Sequence, residues 1–400
     1  MSDITQNLFR QITDVNILFS LLLSPLVFAA ICFITVRTCP MTRGGGIPQV
    51  MAARILDNSK DQAHFIGPRA LIGKLILTPL GLLGGASMGR EGPTVQIGAA
   101  ILFLGARYGR LHLSQARNVL LAGAAAGVAA AFNTPLAGIV FAIEEMARSF
   151  DQKISGVVMT AIVFAGAASL SLLGNYVYFG EADGNYDILR DFPAILTIGI
   201  FGGLLGALFA RILTDAGPWL LRNYRTRTKM HPATFAALCG LGVAILGLIS
   251  GGMSFGSGYV QARTFLQNNT DHALLFTVTK FLATGISSFS GIPGGLFSPS
   301  LSVGAGLGAI LSAYFPQTPV AGMVILGMAA YLTGVTQSPI TAFIIVLEIT
   351  GRQSMPVPLI AACLIAAGIS RVLNPVPLYQ RIAQIFIREL QNMKALKQDK

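Results

Sequence analysis

Gly123-Ala-Ala-Ala-Gly-Val-Ala-Ala-Ala-Phe-Asn-Thr-Pro135 and Gly327-Met-Ala-Ala-Tyr-Leu-Thr-Gly-Val-Thr-Gln-Ser-Pro339 lie 204 residues apart and carry the same pattern of small residues, a polar pair and a proline. The register continues past the prolines and sets Glu144 over Glu348. At an offset of 206, Pro93 meets Pro299 and Gly98-Ala99 meets Gly304-Ala305. Near the start of each half, Gly44-Gly-Gly46 faces Gly256-Ser-Gly258. A shared bias toward small residues can imitate one such match. Three in the same order mark an internal repeat.

Composition gives the medium in which the repeat works. Charged residues are 11% of the 400 and hydrophobic ones 53%, against about 25% charged in soluble domains, and the mean hydropathy is +0.66. The 45 glycines suit helices that pack closely or break inside a bilayer. Apolar segments recur near 17–36, 70–88, 118–143, 155–180, 193–214, 232–253, 273–290, 320–347 and 356–373, with shorter ones near 94–105 and 299–314. This is a polytopic membrane protein. Short, Gly/Pro-interrupted segments in matching places of two halves point to discontinuous helices around a midplane site.

The net charge of +11 is spread in short runs between apolar segments, such as Arg222, Arg225, Arg227 and Lys229, and along the tail from Arg381 to Lys400. That is the distribution of cytoplasmic loops rather than of a nucleic-acid surface. Glu181, Asp183, Asp187 and Asp191, opposed by Arg190 alone, form an acidic loop expected outside, which places the 222–229 run, Arg37 and Arg43 inside and the amino end outside. The first sixteen residues are polar and no cleavable signal precedes the uncharged stretch Ile17 to Val36. Cys32, Cys39, Cys239 and Cys363 have no CxxC spacing and read as buried thiols, with no disulfide frame and no metal site.

Three stretches share one design of glycines followed by a proline at a helix start: Gly44-Gly-Gly-Ile-Pro48, Gly89-Arg-Glu-Gly-Pro93 and Gly294-Gly-Leu-Phe-Ser-Pro299. Proline is favoured there because its missing N–H would be unpaired anyway. Glycine permits a sharp turn and a close ligand approach. Each helix start carries free N–H groups and about half a positive charge. Converging in the membrane, they would hold an anion without a full cation.

These residues also carry a resemblance. Gly89-Arg-Glu-Gly-Pro-Thr-Val-Gln-Ile-Gly98 resembles the signature of the chloride channel/transporter (CLC) family, Gly294 to Ala305 resembles its second signature, and Gly44 to Pro48 its Gly-Ser-Gly-Ile-Pro motif, over roughly residues 17–390. The resemblance implies an all-α integral membrane fold of two inverted-topology repeats with discontinuous helices, assembled as a homodimer with one anion pathway per subunit. On it, Glu91 falls on the external gating glutamate, Leu296 and Phe297 on the backbone donors to the central anion, and Tyr379 on the tyrosine whose hydroxyl reaches the same ion. Glu145 falls on the internal proton-transfer glutamate of exchangers, with Glu144 its structural neighbour. A charged group at the bilayer centre costs at least ~2.5–3.5 kcal/mol, so a functional role for Glu91 is the default.

Two departures stand out, and a third concerns the tail. Gly45 replaces the usual serine of the first motif, which removes one hydroxyl donor to the anion and leaves chloride against nitrate open. The family usually has an interfacial helix and one further long membrane helix before Ile17, so with this short amino end the first repeat is expected to lack its usual N-terminal helix. The chain also ends about twenty residues past Tyr379, short of the regulatory nucleotide-binding pair of some relatives.

The expected organisation is one membrane transport domain, with repeats at 17–190 and 193–380 and a basic cytoplasmic tail at 381–400, in the cell (inner) membrane. The expected activity is chloride/proton antiport with chloride and possibly nitrate as cargo, no enzyme activity, no cofactor and no nucleic-acid partner. A passive gated anion channel is the nearest alternative, and a fluoride exporter a lesser one. A membrane-embedded hydrolase is the remote one, since Gly252-Met-Ser-Phe-Gly256 fits Gly-x-Ser-x-Gly but sits among spans with nothing to bring Asp271 or His272 beside Ser254.

Overall fold

The computed structural model describes residues 2–109, 113–147, 156–174, 188–216, 231–351 and 355–398. Among these residues regular structure is helical, and β-type pairing is confined to two isolated bridges. An amphipathic helix α1 (Ser2–Val15) precedes α2 (Ser20–Thr38), α3 (Ile47–Ile55), α4 (Ser59–Ile66), α5 (Pro68–Leu83), α6 (Glu91–Tyr108), α7 (Leu113–Phe132), α8 (Pro135–Phe141) and α9 (Gly156–Leu173). The second half brings α10 (Ile188–Arg211), α11 (Pro232–Ile249), α12 (Tyr259–Leu266), α13 (Ala273–Phe289), α14 (Phe297–Ser312), α15 (Val320–Thr336), α16 (Pro339–Thr350), α17 (Pro356–Leu373) and α18 (Leu378–Gln398).

Five helical stretches are long and apolar enough to cross a bilayer, Ile17–Thr38, Ser59–Leu83, Arg190–Ala216, Pro232–Ile249 and Pro356–Leu373. Their outward faces are apolar, with Leu22, Leu26, Ile72, Ile76, Leu208 and Leu238 all exposed. In water such a belt would be a liability, and in lipid it is the solvent-facing surface. The four cysteines are free and buried, as their spacing predicted.

Two apolar segments that look continuous in sequence are each broken. The stretch 118–143 divides into α7 and α8 at Asn133, and 320–347 divides into α15 and α16 at Gln337. Both residues adopt the left-handed conformation, φ 59° and 61°, and a proline opens the following helix. Conversely, the short apolar run at 94–105 is part of a longer helix, since α6 has 18 residues, while 299–314 coincides with most of the 16-residue α14 and runs two residues past its end. Asp191, counted above as a loop charge, lies in the first turn of α10. There it is buried and takes hydrogen bonds from Arg190 and Thr318. The remaining acidic loop residues Glu181, Asp183 and Asp187, the basic run 222–229, Arg148 and Lys153 lie outside the described residues. The segment after Tyr379 is helical, and α18 sets Phe386 and Leu390 in the core while Arg43 pairs with Glu389 and Lys394 with Asp61.

The offsets seen in the sequence return as contacts. α6 crosses α7 where a side chain on Gly98 would meet the Gly123 carbonyl oxygen at 2.4 Å or less, and α14 crosses α15 where Gly304 stands in the same relation to Gly327. Close helix crossing through small residues is the usual route to tight packing in a membrane. The broken helices are sealed crosswise. Glu348 of α16 accepts hydrogen bonds from the N–H groups of Leu136 (3.2 Å) and Ala137 (2.7 Å) at the start of α8. Glu144 accepts from Ile340 (3.1 Å) and Thr341 (2.6 Å) at the start of α16. A carboxylate at a helix start satisfies orphan donors and meets the positive end of the dipole. Replacing Glu348 with alanine is therefore expected to lower the unfolding free energy in detergent by about 1.5–3 kcal/mol, the worth of hydrogen bonds to a charged group; a loss below ~0.5 kcal/mol would remove Glu348 from this role.

Candidate anion site and gate

The three Gly/Pro stretches, far apart in sequence, are bonded to one another through their backbones. Gly44 donates to the Ile292 carbonyl and Gly294 to the Gly44 carbonyl, both at 3.1 Å. Gly89 and Gly295 exchange a reciprocal pair at 2.8 and 2.7 Å. The starts of α3, α6 and α14 are thereby brought together, with the side-chain-free positions Gly46, Gly92 and Gly295 at the points of contact. A Cβ on Gly46 would stand 2.7 Å from the Gly92 carbonyl oxygen, and one on Gly295 would stand 2.9 Å from the Gly92 nitrogen. Glycine is required here by proximity and, at Gly46, by a φ of +100° as well.

Glu91, the first residue of α6, is 1% exposed. Its Oε1 accepts the Ser298 hydroxyl at 2.5 Å, and its Oε2 has no hydrogen-bond partner within the protein. Neighbouring Arg90 is turned away to Asp3 of α1. Ser2, Asp3, Gln6, Met88, Arg90 and Ser257 join Glu91 around a small cavity. Helix α1 is fixed over it by Phe9, which is buried edge-on against Phe255 with ring centroids 4.9 Å apart.

An aromatic group gathers around Phe297, the first residue of α14. The Phe297 ring lies 6.2 Å from both Phe132 and Phe141 and 6.1 Å from Tyr379. Tyr379, in the first turn of α18, is 2% exposed, and its phenol lies within electrostatic reach of both Glu91 and Glu145. Leu296 is the residue immediately before α14 and Phe297 opens it, so the first free N–H groups of that helix belong to this place. Glu145 sits in a π-helical turn, Ala142–Ala147, and is buried, where it accepts the Ser338 hydroxyl. Single π turns of this kind are frequent at functional sites. Gly45, Glu91, Leu296 and Phe297 lie at the joined helix starts, Tyr379 adjoins them through its ring contact with Phe297, and Glu145 stands apart on its π-helical turn.

Several participants escape a motif search. Lys74 of α5 is wholly buried and donates to the carbonyls of Thr42 (2.6 Å) and Gly44 (2.5 Å). Lys280 of α13, 206 residues later, does the same to Ser254 (3.1 Å) and Gly256 (2.5 Å). Each lysine holds the turn before a short helix by donating to its carbonyls. The available signal was a lone lysine in an apolar span, which by itself suggests function. Ser254, the centre of the Gly-x-Ser-x-Gly match, is buried and shares its hydrogen bond with Ser250, with no histidine or acid beside it. Among the described residues no cluster of His, Cys, Asp and Glu could hold a metal ion.

Helix starts meeting at a buried carboxylate, within a bundle of membrane-length helices, define a membrane protein with a candidate anion site. A family model described as voltage gated chloride channel matches residues 27–371. The H(+)/Cl(-) exchange transporter ClcA of Salmonella paratyphi A is 33% identical over 386 residues, covering 90% of this chain and 77% of the relative. The ClcA of Vibrio cholerae is 31% identical over 390 residues, covering 92% and 79%. Among solved structures, a slow cyanobacterial Cl-/H+ antiporter superposes with a TM-score of 0.80 at 24% identity, covering 96% of this chain and 92% of that one. A CLC-type fluoride/proton antiporter superposes with the same score at 23% identity over 94% and 91%. The chain belongs to the voltage gated chloride channel family and is a multi-pass membrane protein.

The geometry separates two glycines of one motif. At Gly45 an added Cβ meets only the Gly294 carbonyl oxygen, at an ordinary 3.8 Å, whereas at Gly46 it collides. Gly45→Ser is expected to leave the thermal midpoint in detergent within about 2 °C, while Gly46→Ala, which buries a clash and a strained φ, should cost on the order of 1–3 kcal/mol. Equal midpoints for the two variants would contradict this arrangement.

Proposed function

We propose that this protein exchanges chloride for protons across the inner membrane of the cell. The observation that carries the reading is the backbone-bonded convergence of three helix starts on the buried, half-satisfied carboxylate of Glu91. An anion binds where the N-terminal amides of Leu296 and Phe297, the Gly44–Gly46 turn and the Tyr379 hydroxyl meet. No full cation touches it, so it can leave as well as enter. The Glu91 carboxylate has the charge of the cargo and competes for the same donors. An external proton neutralises it, weakens that competition and admits the anion. Glu145 takes protons to and from the other face, and Tyr379 stands between the two carboxylates.

Two titratable stations on separate sides of one anion site favour exchange over passive leak, and the relatives named above as H(+)/Cl(-) exchange transporters support the same assignment. The two halves act as inverted repeats around the site, and two copies assemble as a homodimer with one pathway in each. Nitrate is a second cargo, because Gly45 offers no hydroxyl to favour chloride.

The test is flux from proteoliposomes under a chloride gradient with a pH probe inside. Chloride moving downhill should drive protons uphill, and chloride flux with no proton movement would replace the exchanger with a channel. Glu91→Gln, which keeps the gate neutral, is expected to abolish proton coupling while sparing anion flux. Glu145→Gln should uncouple protons without closing the anion path; intact exchange would return Glu145 to a structural part. Gly45→Ser should raise the preference for chloride over nitrate by about fivefold, the equivalent of one neutral hydrogen bond of ~1 kcal/mol, measured as relative flux of the two anions.

A further inference from the structure

Ser298 is the second residue of α14, where a helical serine ordinarily has an easy partner in a carbonyl of its own helix one turn back. In the first turn no such carbonyl exists, and the hydroxyl crosses instead to the other half of the molecule, to Oε1 of Glu91 at 2.5 Å. Both residues are almost wholly buried, at 3% and 1% exposure. Ser302 donates to the Ser298 carbonyl at 2.7 Å, which fixes the turn that aims the hydroxyl. The second carboxylate oxygen has no partner. The seated carboxylate is therefore held by one side-chain hydrogen bond, and that bond comes from Ser298.

We infer that Ser298 is a positioning residue for Glu91, a latch that holds the ionised carboxylate in its seat and sets how acidic the outside must become before the gate is released. This rests on the reading of Glu91 as the gate. A hydroxyl donating to a carboxylate forms a charge-assisted bond, about twice as strong as one to a neutral acceptor. When the carboxyl takes up a proton, that assistance is lost, and the unpartnered Oε2 is free to carry the hydrogen. The latch thus favours the ionised, seated state and opposes protonation. Its removal makes the gate easier to protonate, so the external pH at half-maximal flux must rise.

Charges around the gate are accounted for elsewhere and do not change with Ser298. Arg90 is paired with Asp3 of α1. Lys74 of α5 and Lys280 of α13 end on loop carbonyls. Arg54 of α3 reaches the Met146 carbonyl, Arg117 of α7 pairs with Asp57, and Asp61 of α4 pairs with Lys394. Tyr379 of α18 remains in electrostatic reach, and α14 itself carries no titratable side chain.

The experiment is chloride and proton flux from proteoliposomes across a series of external pH values, for the parent, Ser298→Ala, Ser298→Thr and each change combined with Glu91→Gln. Ser298→Ala is expected to move the half-maximal pH upward by about one to two units, the ten- to hundredfold change in proton affinity that one hydrogen bond to a charged group confers. Ser298→Thr, which keeps the hydroxyl, should restore the parent profile. In the Glu91→Gln background Ser298→Ala should leave the profile unmoved, because the group it acts on no longer titrates. An unchanged midpoint in folded Ser298→Ala, or an equal shift with and without Glu91, overturns the inference. Should the alanine variant fail to fold, Ser298→Cys, similar in size with a weaker donor, is read the same way and must shift the midpoint in the same direction. Loss of the gate reading itself looks different: the parent would show no pH dependence, or Glu91→Gln would keep its coupling.

Discussion

Backbone polar groups inside hydrocarbon have no water to turn to, so every interruption of a helix there must find its partners within the protein. This chain interrupts its helices repeatedly, and the arrangement of the whole molecule follows from how the interruptions are satisfied. The turns before α3, α6 and α14 bond to one another through Gly44, Gly89, Gly294, Gly295 and the Ile292 carbonyl. Buried lysines take up the carbonyls of the turns before α3 and α12. Glutamates close the starts of α8 and α16. Among the buried side-chain atoms left without a partner is one oxygen of Glu91, at the start of α6 where the turns before α3, α6 and α14 meet.

The same constraint explains why acidic side chains occupy different roles at short distances along the chain. Glu144 and Glu145 are neighbours, yet one accepts two backbone N–H groups of α16 and the other accepts the hydroxyl of Ser338. The π-helical turn at Ala142–Ala147 makes this divergence possible, since it adds a residue to the turn and rotates successive side chains to different surroundings.

Much of this was legible in the sequence because it is written in residues whose effect is local. Proline and glycine favour helix starts, so Pro48, Pro93 and Pro299 marked the beginnings of α3, α6 and α14. The buried cysteines were legible for a similar reason. Less visible were the divisions at Asn133 and Gln337, where uninterrupted hydropathy conceals a left-handed residue. Least visible were Ser298, Ser338, Lys74 and Lys280, whose importance arises only when distant segments meet; a serine inside Phe-Ser-Pro-Ser has no local mark that separates it from its neighbour. Helix α1 was hidden by its polarity, since an apolar-segment search passes over an amphipathic stretch anchored by a single Phe9.

The crossed glutamates also bear on how the chain comes into being. Leu136 and Ala137 must wait for a carboxylate made 211 to 212 residues later. During synthesis the leading half therefore enters the bilayer with one helix mouth unstoppered, and the trailing half cannot close its own without Glu144 already in place. Contacts of such long range are slow to form, so assembly ends, rather than begins, with the two halves clasping. A half made on its own would leave the Leu136 and Ala137 N–H groups without the carboxylate that closes them.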